Sequence, residues 1–196
     1  HRLIPIYKLN FREKRGEKGY FTGSNAFHSS YRNHRESEGN NWNRNYMPGL
    51  EAMYGYNLIN VRHFDVTTNE STLFFENPVL IKTLYYPTLS KDTLNHQPIS
   101  RNYYMISAYN EDSNKDGYIN SDDLRRFYLF NIDGTFKSLL IPENYSVRSS
   151  QYDPENDYMY VYAVLDENGN GQLEEKEAVH VFWINLATPA KGTRLY

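Results

Sequence analysis

The 196 residues suffice for one well-buried domain, and their near balance of 21 basic against 24 acidic side chains, a formal charge of -3, is too small to attract nucleic acid or an anionic membrane by its field. No apolar run approaches the ~18 residues of a membrane-spanning helix, and no basic start leads into an apolar stretch. The expectation is therefore no membrane span and no signal peptide within this chain, a start at His1 being compatible with earlier removal of one. Without cysteine there are no disulfides, thiolate zinc sites or cysteine nucleophiles.

The 19 Tyr and 10 Phe of this polar chain point to an all-β domain, because aromatic rings suit a half-buried pleated surface. In chain order, residues 3–9 form the first strand candidate. Residues 11–56 are rich in Asn, Arg, Gly and Ser, are interrupted by aromatics such as Tyr20, Tyr31 and Trp42, and show no sustained period. A structureless stretch of that length is unusual inside a compact domain, so some strands are expected within it. His28 and His34, beside Tyr31, Arg32 and Arg35, have the chemistry of an anion or substrate site, although a solvated polar loop is the favoured reading. Trp42, Tyr46 and Tyr54, set among amides and Arg44, have the chemistry of a carbohydrate-binding surface. Aromatic core strands joined by polar loops look the same and are preferred.

The pattern sharpens after Asn57. Residues 58–66 and 71–75 read as a hairpin around a polar turn, and the same unit returns at 127–132 with 137–141, and at 179–186 with 193–196. Asp112 and Asp166 stand 54 residues apart, and that offset holds without a gap from Met105/Met159 to Asn131/Asn185, which marks a repeat. Each of the last two units begins with a further strand candidate, 79–86 or 145–152. An aromatic strand then follows, 103–109 or 158–165. The expected order is strand, turn, strand, acidic loop, strand, turn, strand: an antiparallel four-stranded meander, in units of approximately 1–76, 77–142 and 143–196 of a single domain.

The run YDPENDYMYVYAVLD…VHVFWINL, with its Asp-Pro turn before an aromatic strand and a later strand ending in a polar turn with Lys and Gly, resembles a blade of the TolB-like or WD-repeat-like β-propellers. This resemblance implies a β-propeller-like fold of about three blade-like units. Propellers typically close with 4 to 8 blades. Three routes to completion are expected: another blade in the amino-terminal region, pairing with a copy of this chain as a homo-oligomer, or a smaller sandwich-like body.

Between strands, the first acidic loop places Asp112, Asn114 and Asp116 at positions 1, 3 and 5, Gly117 at 6, the Tyr118 carbonyl at 7 and Asp123 at 12. The second places Asp166, Asn168 and Asn170, then Gly171, the Gln172 carbonyl and Glu177, at the same positions. Alternate side chains of a tightly curled segment point inward at one cation, and glycine permits the sharp turn. These loops resemble the calcium loop of the EF-hand family, and the resemblance implies two bound calcium ions, with Ile119 and Leu173 as apolar anchors. An all-oxygen, flexible donor set favours calcium over magnesium. The plain competing reading is two turn-rich hairpin loops. The first loop offers three carboxylates at these positions against two in the second, and Asp123 is one methylene shorter than the usual Glu, so it is expected to use one oxygen. Affinities of roughly 10⁻⁴ to 10⁻³ M are expected.

The flanks are strand-like, leaving room for one helical turn at 121–126 and another at 174–178, so the helix-opening switch of EF-hand sensors is not expected. The remaining histidines make no paired zinc spacing, and His180 is expected to pack on its strand. No phosphate loop, serine elbow or separate carboxylate pair is present. The sequence thus points to a non-enzymatic, calcium-stapled β-module of an exported or cell-envelope bacterial protein, located outside the cytoplasm and engaging a protein or glycan partner. The alternative is a glycan-acting enzyme or carbohydrate-binding protein that uses the amino-terminal region.

Overall fold

A computed structural model describes residues 1–8, 47–54 and 57–196, together with the backbone of two strands at 10–14 and 17–21. The described residues contain strands and turns and no helix; none could cross a membrane as a long apolar helix. The chain opens with β1 (Arg2–Tyr7) and a hairpin of β2 (Asn10–Lys14) and β3 (Glu17–Phe21), followed by β4 (Leu50–Met53), β5 (Leu58–Asp65) and β6 (Glu70–Leu73). Next come β7 (Leu80–Pro87), a small hairpin of β8 (Asp92–Leu94) and β9 (Gln97–Ile99), then β10 (Tyr103–Tyr109), β11 (Arg126–Asn131) and β12 (Phe136–Leu139). The last strands are β13 (Tyr145–Asp153), β14 (Tyr158–Leu165), β15 (Val179–Asn185) and β16 (Thr193–Arg194).

Three antiparallel sheets carry the core: β1-β5-β6, then β12-β11-β10-β7-β4, then the meander β13-β14-β15-β16. The middle sheet is covered on both faces, and its side chains divide by the two-residue period of a strand. Tyr103 and Met105 of β10, with Phe127 and Leu129 of β11, join Met159, Val161, Phe182 and Ile184 of the last sheet. Tyr104, Ile106 and Ala108, with Ile81 and Leu84 of β7, join Leu58, Val61 and Phe74 on the other side. Double coverage explains why β10 reads as a nearly continuous apolar run. β4, from the first sequence unit, pairs with β7 and so adds a fifth strand to the sheet of the second.

An ionic contact secures the interface between the middle and last sheets. Arg101, ahead of β10, donates from Nη1 and Nη2 to Asp157 Oδ2 and Oδ1 at 2.9 and 2.7 Å. Nη1 also reaches the Leu186 carbonyl at 2.7 Å, and Nε the Pro48 carbonyl at 3.1 Å. The Tyr103 hydroxyl donates to Leu186 O, and the Tyr152 hydroxyl to Asp157 Oδ1. Burial alone would lower the Arg101 guanidinium, but its bond to Asp157 together with the charge of Asp157 and the nearby Tyr103 and Tyr152 hydroxyls outweighs burial and holds the group above its ordinary value.

The first and middle sheets meet at His63, which is buried between the rings of Tyr104 and Phe74, with Nε2 lacking a protein hydrogen bond. Gly134 in the β11–β12 turn closes over it: with φ +83°, an added Cβ would lie 3.1 Å from the imidazole. Burial pushes the imidazole below its ordinary value of 6.5, against smaller raising effects from the Ile132 backbone, Asp65 and Asp133. A depressed histidine stabilises the fold when neutral. Stability is therefore fully present above pH 6.5 and falls as pH drops from there through the lower folded-state value. Urea unfolding at pH 8 and pH 5 should show this loss, and His63→Phe should flatten it.

Candidate metal loops

The two acidic loops occupy equivalent places, the first joining β10 to β11 and the second joining β14 to β15. Their local geometry is the same residue by residue. Asp112 accepts from the Asp116 and Gly117 N–H groups at 3.0 and 2.8 Å, as Asp166 does from Asn170 and Gly171 at 3.1 and 3.0 Å. Asn114 Oδ1 accepts from Asp116 N, as Asn168 Oδ1 does from Asn170 N. Asp116 accepts from Tyr118 N, and Asn170 from Gln172 N. Backbone φ is left-handed at the fourth and sixth positions of both loops: +63° at Lys115 and +94° at Gly117, +70° at Gly169 and +76° at Gly171. Short Asx-type bonds of this kind curl the chain and turn successive side-chain oxygens to one side.

The twelfth residues brace these curls. Asp123 is fully buried; its Oδ1 accepts from Ser113 N at 2.8 Å and Asn114 N at 3.3 Å, and its Oδ2 from Asn120 N at 2.8 Å. Glu177, half-buried, accepts from Glu167 N and Glu174 N at 3.2 and 2.9 Å, the corresponding donors of the second loop. Tyr118 and Gln172 are both exposed. Among the described residues no group of three or more His, Cys, Asp or Glu side chains is arranged to hold a metal. A cation in either loop would depend on amide and carbonyl oxygens as well.

Several local expectations need correction. Ile119 is 39% exposed and does not anchor its loop in the core, whereas Leu173 is half-buried. The segments 121–126 and 174–178 hold no helical turn: the first passes through a turn and the Asp123 bridge into β11, and the second is a turn and bend ahead of β15. The two loops also touch, through Ser113 and Asp123 and not through Ile119. Ser113 Oγ donates to the Gly171 carbonyl at 2.5 Å, and Asp123 forms an isolated antiparallel bridge with Gln172. Gly171 is obligatory there, since an added Cβ would lie 1.9 Å from the Ser113 carbonyl oxygen. Nothing in the consensus marks the second position of such a loop, so Ser113 carried no signal.

Of the other candidates, His180 packs on β15 with Nδ1 2.8 Å from the Tyr145 hydroxyl. His28, His34, Trp42 and Tyr46 lie outside the described residues. Tyr54 is half-buried.

The class defined by these features is an all-β protein of antiparallel sheets, with two equivalent acidic loops between strands. No family model, curated protein or solved structure matches the chain.

Proposed function

We propose that this chain is a calcium-stabilised, non-enzymatic β-module of an exported or cell-envelope bacterial protein, with each of two calcium ions stapling one inter-strand loop. The carrying observation is the shared scaffold: two loops 54 residues apart in sequence orient oxygens at positions 1, 3 and 5 through the same backbone bonds. In the first loop Asp112, Asn114, Asp116 and the Tyr118 carbonyl would bind the ion. Asp123 would add Oδ2, which has one donor and keeps an acceptor site, consistent with a closing carboxylate that uses a single oxygen. Asp166, Asn168, Asn170, the Gln172 carbonyl and Glu177 would hold the second. Sheets packed face against face support a β-propeller-like arrangement, and the strand flanks support a staple over a sensor. The partner is a protein or a glycan.

Thermal unfolding tests this reading. At 10 mM, a tenfold excess over the weaker expected Kd of about 10⁻³ M, a ligand that binds only the folded state adds about 1.4 kcal/mol per site, so two calcium sites together should raise Tm by about 5 to 10 °C over chelator. Magnesium, which demands a tighter octahedral shell, should do less. Equal melting curves in calcium and in chelator would refute the staple.

A further inference from the structure

A second polar site lies between the middle and last sheets. A cavity of about 30 Å³ is lined by Thr83, Tyr85, Ser107, Arg125, Arg148 and Ser149, among others. It lies where the facing sheets both break register. β7 skips Lys82 against β10, since Ser107 pairs with Thr83 and Ala108 with Ile81; β13 skips Arg148 against β14, since Val147 pairs with Ala163 and Ser149 with Tyr162. Bulges of this kind re-aim side chains and concentrate beside binding sites. Two opposed bulges put hydroxyls and guanidinium groups where the neighbouring layers hold Met105, Leu129 and Val161.

The electrostatics of this gap are unbalanced. Arg125 donates from Nε to Val147 O at 2.6 Å and from Nη2 to Arg148 O, leaving Nη1 without a protein partner among the described residues. Among the described residues no acidic side chain lines the cavity, and their ion pairs include neither Arg125 nor Arg148. Ser107 is 93% buried, with Oγ lacking any hydrogen-bond partner, and it faces the same space. A buried donor left unpaired beside an uncompensated guanidinium lacks an acceptor that carries negative charge.

We propose that this cleft binds a carboxylate group, with Arg125 and Arg148 supplying charge and Ser107 Oγ a hydrogen bond. The volume accommodates a carboxylate head and little more, so the rest of the ligand would extend through the open mouth. The site stands independently of calcium in the loops.

Acetate and acetamide, equal in shape and different in charge, are the probes for titration into the isotopically labelled full chain at fixed ionic strength. Acetate should give saturable amide shifts confined to Thr83, Ser107, Arg125 and residues 148–150, and acetamide should give none. Ser107→Ala should leave the urea midpoint unchanged or raised, since the hydroxyl has no partner to lose, while weakening acetate roughly tenfold. Arg148→Gln, on the exposed rim, should weaken it comparably. Absence of a saturable shift, equal response to acetamide, or acetate affinity unchanged in both variants would overturn the assignment.

Discussion

Replacing Asp157 by alanine should cost about 3–5 kcal/mol of stability, the largest single effect expected in this molecule, because it leaves the Arg101 guanidinium buried without its counter-charge. Only 3% of the Arg101 side chain and 11% of Asp157 is exposed, so water cannot readily take over from the lost carboxylate. The Pro48 and Leu186 carbonyls would still accept from the guanidinium but cannot neutralise it. Urea denaturation measures the loss. Replacing both partners, as Arg101→Met with Asp157→Asn, should recover part of it, since the uncompensated charge is gone and Asn tolerates the left-handed φ of +56° at this position. A single mutant within 1 kcal/mol of the parent would mean that the interface relaxes and admits solvent.

The second large effect is expected at the first acidic loop. Asp123→Ala removes the acceptor for the Ser113, Asn114 and Asn120 N–H groups at a fully buried position, and should cost about 3 kcal/mol even in chelator. The corresponding Glu177→Ala removes two acceptor bonds at a half-buried site and should cost about 1 kcal/mol. Each variant should lose the part of the calcium-induced rise in Tm that belongs to its own loop and keep the other. Melting curves with and without calcium separate the bracing role of the carboxylate from any role in binding. Equal costs for the two variants in chelator would contradict the difference in burial.

The strands with regular apolar runs were legible from sequence. The readings 103–109 and 158–165 coincide with β10 and β14, and most other boundaries after Asn57 differ by one or two residues. Side-chain period and aromatic density decide such elements locally. The β8–β9 hairpin escaped because its three-residue strands are too short to show a period and its turn, Asn95-His96, adopts left-handed φ at both residues without glycine. β4 was hidden in the polar amino-terminal region, where pairing with β7 rather than local sequence makes it a strand. The acidic loops were legible through their spacing. The bulges at Lys82 and Arg148 were not, because a skipped residue shows only when two strands are laid side by side, and the Arg125 cleft escaped with them.

Arg101 and Asp157 stand just ahead of β10 and β14, while Ser113 and Gly171 stand just beyond the same two strands. The middle and last sheets are thus joined like the covers of a book, with an ion pair along the spine and a serine-to-carbonyl contact as the clasp. The spine depends on groups sealed from solvent, whereas the clasp belongs to loops whose shape is set by short-range bonds. Any opening of these sheets would begin from the clasp and swing about Arg101, and the Arg125 cleft, two residues past Asp123, would part early in that movement.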